Sequence, residues 1–217
     1  MPLARRLIKS GIVVTLDQSV GDLRRGDVLI EDGRIAAVAP EIAADDAEII
    51  DATDRIVMPG FVNAHIHTWQ TGLRGIAADW TISEYLHAMH ASIAPNLTAP
   101  DIFIANLVGA LGQLNAGVTT MVDWCHNNPS PAHSDAAIDG LLESGIRALF
   151  LHGSPKPDPQ PGQPHFSEIP HPRAEIERLA RGRLGARDGL IGLGMAVLGP
   201  AYSTYEVTRH DLALARE

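Results

Sequence analysis

Two histidines one residue apart, His65 and His67, close an apolar stretch that passes through a Pro-Gly step, RIVMPGFVNAHIH. In a β-strand, side chains at i and i+2 share a face. A strand over residues 61–67 therefore turns Asn63, His65 and His67 one way and Val62, Ala64 and Ile66 the other. Two imidazoles roughly 7 Å apart along a rigid edge can aim their nitrogens at one metal ion. Neutral imidazole suits Zn²⁺ or Fe²⁺, and such a metal lowers the pKa of a bound water from about 16 toward about 7. That chemistry is hydrolysis at neutral pH. The spacing alone serves equally well for two histidines held by ordinary hydrogen bonds, because ten histidines in 217 residues make such a pair commonplace. Position adds weight. The apolar stretch opens into Thr68, Trp69 and Gln70, and the C-terminal ends of strands are where α/β barrels keep their chemistry.

Other residues could contribute. Trp69 reads as a pocket wall or as packing beneath the loop. His126 and His152 fall at or just beyond the ends of later strands, on the side where a pocket would open. Cys125 adjoins His126, but neighbours on a strand face opposite ways, so the thiol reads as buried or pocket-edge rather than nucleophilic. Glu84, His87 and His90 repeat at i, i+3 and i+6 on a predicted helix. With no partner motif elsewhere, they read as ordinary helix residues rather than a helix-bundle metal site.

The run PGFVNAHIHTWQTGLRGIAAD resembles the signature of the amidohydrolase superfamily, in particular its cytosine and guanine deaminase-like and s-triazine hydrolase branch. The features that match are PGFVNAHIH, a Gln three residues past the second His, and the LRG that follows. LNAGVTTMVDW, residues 114–124, is similar to the family's second barrel strand. The similarity extends, with gaps, from about residue 5 to the last residue. It implies that His65 and His67 are two ligands of one divalent metal, Zn²⁺ or Fe²⁺. It places Gln70 against the substrate ring, the other reading being a loop glutamine facing solvent; Arg74 is either a substrate contact or an ion-pair partner, and Trp69 and His152, by position, are further substrate-binding candidates. Asp123 belongs to the similar strand and is expected to support the barrel mouth. The family's other ligands, a His after strand five, a His after strand six and an Asp after strand eight, have no counterpart here. Nor has the Glu that moves the proton. No catalytic residue is therefore expected within these 217 residues, which alone should be inert. The implied reaction is metal-dependent hydrolysis of a ring C–N bond, foremost the deamination of an N-heterocycle. The same activated water would serve removal of another ring substituent, including chloride from an s-triazine, or opening of a cyclic amide. Gly199-Pro200-Ala201 stands where many deaminases of the branch carry Pro-His, which leaves the substrate open. A reading of another class is a non-catalytic fragment.

The elements that must position these residues fall into two sets. Residues 1–58 read as short strands: IVVT at 12–15, then two apolar runs joined by Asp32-Gly33, a strong hairpin signal, then two more strands in EIIDATDRIVMPG. The resemblance implies part of a β-sandwich. Residues 59–217 alternate strand and helix, as parallel βα units do. After the strand at 61–67 come helices near 82–93 and 99–115, the latter opened by Thr98 and Asp101 and stopped by Gly117. The strand VTTMVDW follows, then a helix from Ser134 to Ser144 stopped by Gly145, and the strand IRALFLHG at 146–153. Seven prolines in residues 154–172 forbid regular structure. A helix near 173–184, a strand at 190–200, and a helix capped by Ser203 and Glu206 complete the chain. The predicted fold is α/β: a small β-sandwich segment followed by the first four βα units of a (β/α)8 barrel. A whole barrel takes roughly 250 residues, so the chain is expected to be the N-terminal half of a longer protein.

Composition bounds the partners. A content of 45% hydrophobic and 20% charged residues describes an ordinary globular chain. The net charge of −9 argues against nucleic acid. The single Cys125 excludes an internal disulfide and fits a reducing compartment. The apolar run Gly11–Val14 is too short for a signal peptide or membrane span. The expectation is a cytoplasmic protein acting on a small heterocycle, with no membrane or nucleic-acid partner, and a homo-oligomer at full length.

Overall fold

A computed structural model describes residues 5–186 and 188–217, which divide into two compact units, Met1–Gly60 and Phe61–Glu217. Each is taken by itself.

The first unit is one five-stranded sheet built from β1 (Arg6–Val13), β2 (Leu23–Glu31), β3 (Arg34–Ala39), β4 (Glu48–Asp51) and β5 (Ile56–Val57). Its order is β3-β2-β1-β4, with β5 also beside β1. β1 pairs antiparallel with β2 and parallel with β4 and β5. The β2–β3 turn is Asp32-Gly33 with φ of 49° and 74°, the double positive φ that a two-residue hairpin requires. The first strand is longer than the β-branched run IVVT predicts and ends before Thr15. It carries a bulge at Ser10 (φ 64°), whose N–H donates to the buried carboxylate of Asp27 at 2.8 Å.

In the second unit four parallel strands, β6 (Phe61–Ile66), β7 (Val118–Cys125), β8 (Arg147–Gly153) and β9 (Ile191–Ala196), lie in sequence order. Parallel neighbours need long crossovers, and helices supply them. A 3₁₀ helix, Thr68–Leu73, follows β6 where a loop was expected. Then come α1 (Ile82–Tyr85), a π-helical stretch Leu86–Ile93, a 3₁₀ turn Ala94–Asn96 and α2 (Ala99–Asn115). The capping box of Thr98 with Asp101 opens α2, and Gly117 (φ 81°) follows its end. α3 (Pro131–Ser144) joins β7 to β8, and α4 (Arg173–Arg181) joins β8 to β9; α5 (Gly199–Tyr202) and α6 (Tyr205–Leu214) end the chain. Trp69, Ile102, Met121, Ile138, Leu141 and Phe150 centre the core between sheet and helices. Among the described residues no single helix is long and apolar enough to cross a membrane.

Several boundaries differ from the sequence expectation for local reasons. α3 is capped by Ser130, not Ser134, because Pro131 lacks an N–H and suits the first helical position; Ser134 is buried inside the helix. α4 stops at Arg181, before Gly182, rather than near residue 184. β9 is shorter than 190–200, since Gly199-Pro200 starts a helical turn. α6 is capped by Thr204, whose hydroxyl accepts from the Val207 N–H, and not by Ser203. The Pro-rich connection holds only one 3₁₀ turn, Phe166–Glu168.

Candidate functional site

The C-terminal ends of β6, β7 and β8 lie side by side, with Ile66 opposite Asp123 and Cys125 opposite His152. His65 is the second-to-last residue of β6, and His67 lies one residue past its end. Their ring centroids are 4.8 Å apart and the rings nearly perpendicular, at 79°. Two imidazoles on one metal, each nitrogen about 2.0–2.1 Å away at a near-tetrahedral angle, would place their centroids about 5 Å apart. His67 Nδ1 lies 2.8 Å from the Trp124 carbonyl. A carbonyl only accepts, so Nδ1 carries the proton and the Nε2 lone pair is left for a ligand. Burial lowers the His67 pKa, which keeps that lone pair available. In this respect the pair fits a divalent metal. It supplies half of a four-coordinate site: among the described residues, no group of three or more His, Cys, Asp or Glu is arranged to hold a metal.

The pair leads into further imidazoles. The ring centroid of His126 is 4.4 Å from that of His67, and that of His90 is 4.7 Å from His126. Both rings are buried and neither has an acidic neighbour that raises its pKa. Burial and then the charge of Lys156 lower the His90 pKa to about 3 and push that of His126 lower still. The Trp69 indole N–H donates to His126 Nδ1 at 3.4 Å. The indole has no lone pair to offer, so His126 keeps its own proton on Nε2 and presents a donor there. His126 is thereby unsuited as a metal ligand at that nitrogen.

A cavity of about 630 Å³ opens beside His67, lined in part by Gln70, Arg74, Tyr85, Met89 and Gln113. Gln70 Nε2 donates to the Tyr85 hydroxyl at 2.6 Å, and that hydroxyl stands 3.2 Å from His90 Nε2. Trp69, 1% exposed, packs in the core and borders a second cavity of about 390 Å³. His152 does not join the imidazole run. It is 1% exposed between Phe150 and His171, neither ring nitrogen has a hydrogen-bond partner, and burial lowers its pKa to about 4. Asp123 anchors the start of the 3₁₀ helix by accepting the Thr68 N–H at 2.9 Å; burial raises its pKa to about 6. The Cys125 thiol is fully buried, its pKa raised by burial. Glu84 closes a capping box with Thr81, and His87 pairs with Asp158 at 2.9 Å on the surface.

Sequence reasoning discounted His90 and did not reach Lys156. The first comes inward because its helix is π-wound; the second stands in a proline-rich loop that carries no periodic signal. Lys156 is 9% exposed, and burial lowers its pKa to about 8.

No protein-family model matches the chain. It is similar to 5′-deoxyadenosine deaminase from Methanosarcina barkeri, 32% identical over 151 residues that make up 70% of this chain and 34% of the relative. It is 34% identical over 154 residues to 5-methylthioadenosine/S-adenosylhomocysteine deaminase from Symbiobacterium thermophilum, with the same coverage of 70% and 34%. The chain thus spans about a third of the length of these curated relatives. Its fold matches atrazine chlorohydrolase TrzN from Arthrobacter aurescens TC1 complexed with zinc, with a TM-score of 0.80 at 21% identity over 97% of this chain and 50% of that one. Deaminase relatives by sequence, a hydrolase neighbour by fold, and paired histidines at the end of the first parallel strand lead to one conclusion: the chain belongs to the amidohydrolase superfamily.

Proposed function

We propose that this chain contributes half of a metal-dependent hydrolase that acts on a ring C–N bond, with deamination of an N-heterocycle as its reaction. The observation that carries the reading is the His65–His67 pair, with His67 locked by the Trp124 carbonyl so that Nε2 faces outward. The four parallel strands are read as the first four of an eight-stranded barrel, and the mixed sheet as part of a β-sandwich. The fold likeness to the zinc-containing chlorohydrolase supports both readings, and zinc as the metal.

A divalent metal held by His65 and His67 supplies activation of a water. The chain's own residues do the rest. Trp124 holds the His67 tautomer, and the cavity beside His67 admits a flat ring. Gln70, braced by Tyr85, orients that ring, and Trp69 keeps the wall beneath dry. His152 is too enclosed to touch the ring before its surroundings move. Activity requires a protein that supplies the remaining ligands. The fold likeness to a chlorohydrolase favours a second reading, in which the leaving group is another ring substituent such as chloride.

Equilibrium dialysis against zinc tests the site. A protein with the full ligand set should bind one equivalent and lose it in both His65→Ala and His67→Ala. Undiminished binding in both variants would sink the metal reading. Ammonia release from 5′-deoxyadenosine and guanine, against chloride release from atrazine, separates the two reactions.

A further inference from the structure

The even alternation expected over residues 61–67 is broken by one residue. Asn63 lies opposite Met121 and Ile66 opposite Asp123, so three steps along β6 match two along β7, which is a bulge. Residues opposite one another in parallel strands face the same way, and Met121 and Asp123 are both fully buried on the helix-covered face. Asn63 and Ile66 therefore share that face: Ile66 packs against the core, and the Asn63 amide reaches α2. His65 and His67, on either side of Ile66, turn to the opposite face, where His65 lies 5.5 Å from Trp124 between ring centroids. Without the extra residue, His65 would stand opposite Asp123 and point into the helices.

The side chain of Asn63 sits at the bulge and spans it. Its Oδ1 accepts the His65 N–H at 3.2 Å, an i to i+2 bond that competes with strand pairing. Its Nδ2 donates to Gln113 Oε1 at 2.9 Å. Gln113 stands in the last turn of α2, and the Phe61 N–H donates to the Gly117 carbonyl at 2.9 Å just beyond that helix. The start of β6 and its bulge are thus both tied to the end of α2. We propose that Asn63, held by Gln113, is a positioning residue for the His65–His67 pair: it fixes the bulge that turns His65 onto the face of His67. That the pair serves a metal rests on the hydrolase reading above; that Asn63 sets its facing does not.

Nuclear Overhauser contacts between the rings of His65 and His67, whose centroids are 4.8 Å apart, read their facing in the purified protein without metal. Asn63→Leu removes both hydrogen bonds and should lose the ring contact. Asn63→Asp should keep it, because a carboxylate still accepts the His65 N–H and the Gln113 amide can turn to donate to it. Gln113→Leu cuts only the tie to α2 and should weaken the contact, which decides the matter if Asn63→Leu does not fold. A merely structural asparagine would change stability in these variants without moving the rings. In a protein with the full ligand set, Asn63→Leu should also bind zinc about 10–100-fold more weakly, with Asn63→Asp binding as the parent does. Ring contacts unchanged in both leucine variants, or lost as fully in Asn63→Asp as in Asn63→Leu, would overturn the proposal. Zinc binding indifferent to His65→Ala, with the ring contacts responding as stated, would remove the metal and uphold the positioning of the pair.

Discussion

Two groups of histidines in the same parallel unit have opposite characters. In one, His65, His67, His126 and His90 follow one another at 4.4–4.8 Å between ring centroids, with a lysine nearby and no carboxylate paired to any ring. In the other, His171 is buried between two acceptors: Asp211, 2.8 Å from Nδ1, and the His152 carbonyl, 3.0 Å from Nε2. Asp211 also accepts the His171 backbone N–H at 2.9 Å. With acceptors on both sides, the His171 ring donates twice and clamps the Pro-rich connection to α6. It has no nitrogen left for a ligand. Burial lowers the pKa of His67, His90 and His126 and so keeps those rings neutral, and His67 keeps its Nε2 unspent. Whether a histidine holds the fold or offers itself to a ligand is decided by the carboxylate beside it.

The largest effect expected from breaking this contrast is at the clamp. Asp211→Ala leaves His171 buried without its anion, and removal of one partner of such a pair costs about 3–5 kcal/mol. A urea melt should show that loss, whereas a loss below about 1 kcal/mol would mean that the clamp is dispensable.

The next effect is on pH dependence. His90 and His152 are buried with pKa values lowered to about 3 and about 4, below the value of about 6.5 in an unfolded chain. Their contribution to stability is complete above about pH 6.5 and is lost as the pH falls through that interval. For Asp211, burial alone would raise the pKa, but hydrogen bonds from His210 and His171 hold it below normal, so its contribution is lost at still lower pH. Asp123 has the opposite sign. Its pKa is raised to about 6, so its contribution is present below about pH 4 and lost as the pH rises through about 6. Asp123→Asn should abolish that component, on the order of 3 kcal/mol between the two limits. Denaturant melts at pH 4, 5, 6 and 7 would check it; a variant parallel to the parent across the series would contradict the assignment.

The smallest effect sharpens the contrast from the other side. His90→Leu keeps an apolar volume in the core and removes a polar ring from it, while the Tyr85 hydroxyl keeps Gln70. The change in stability should stay within about 1.5 kcal/mol, measured by the same melts. A larger loss would make His90 structural, like His171.

Features written in neighbouring residues were legible in the sequence. Asp32-Gly33 spells its turn, Thr98 and Asp101 spell the start of α2, and the i, i+2 spacing brings His65 beside His67. Caps failed where two candidates competed, as Ser130 with Ser134 and Thr204 with Ser203, because backbone geometry chooses between them. His126 was legible as a residue at the pocket end of its strand, but His90 and Lys156 were not, for a different reason. His90 comes from the connection after β6, and only the lateral packing of β6 and β7 brings it to 4.7 Å from His126; Lys156 stands in a proline-rich loop with no periodic signal. His152 shows the converse: a strand-end position suggested an open pocket, but Phe150 and His171 close around it.

The winding of Leu86–Ile93 has a genetic consequence. Its closing bond runs from the Ala94 N–H to the Met89 carbonyl, five residues back. Each residue there advances roughly 80° instead of about 100°, which separates His87 from His90 by about 120° rather than about 60° and sends one outward and the other inward. The segment behaves as an α-helix into which one residue has been inserted. Deleting Ala88 should let it relax to ordinary pitch while Thr81 and Glu84 hold its start, so His90 would swing away from His126 as if on a dial. One lost codon could thus remove a ring from the site while every residue of the site remained in the gene.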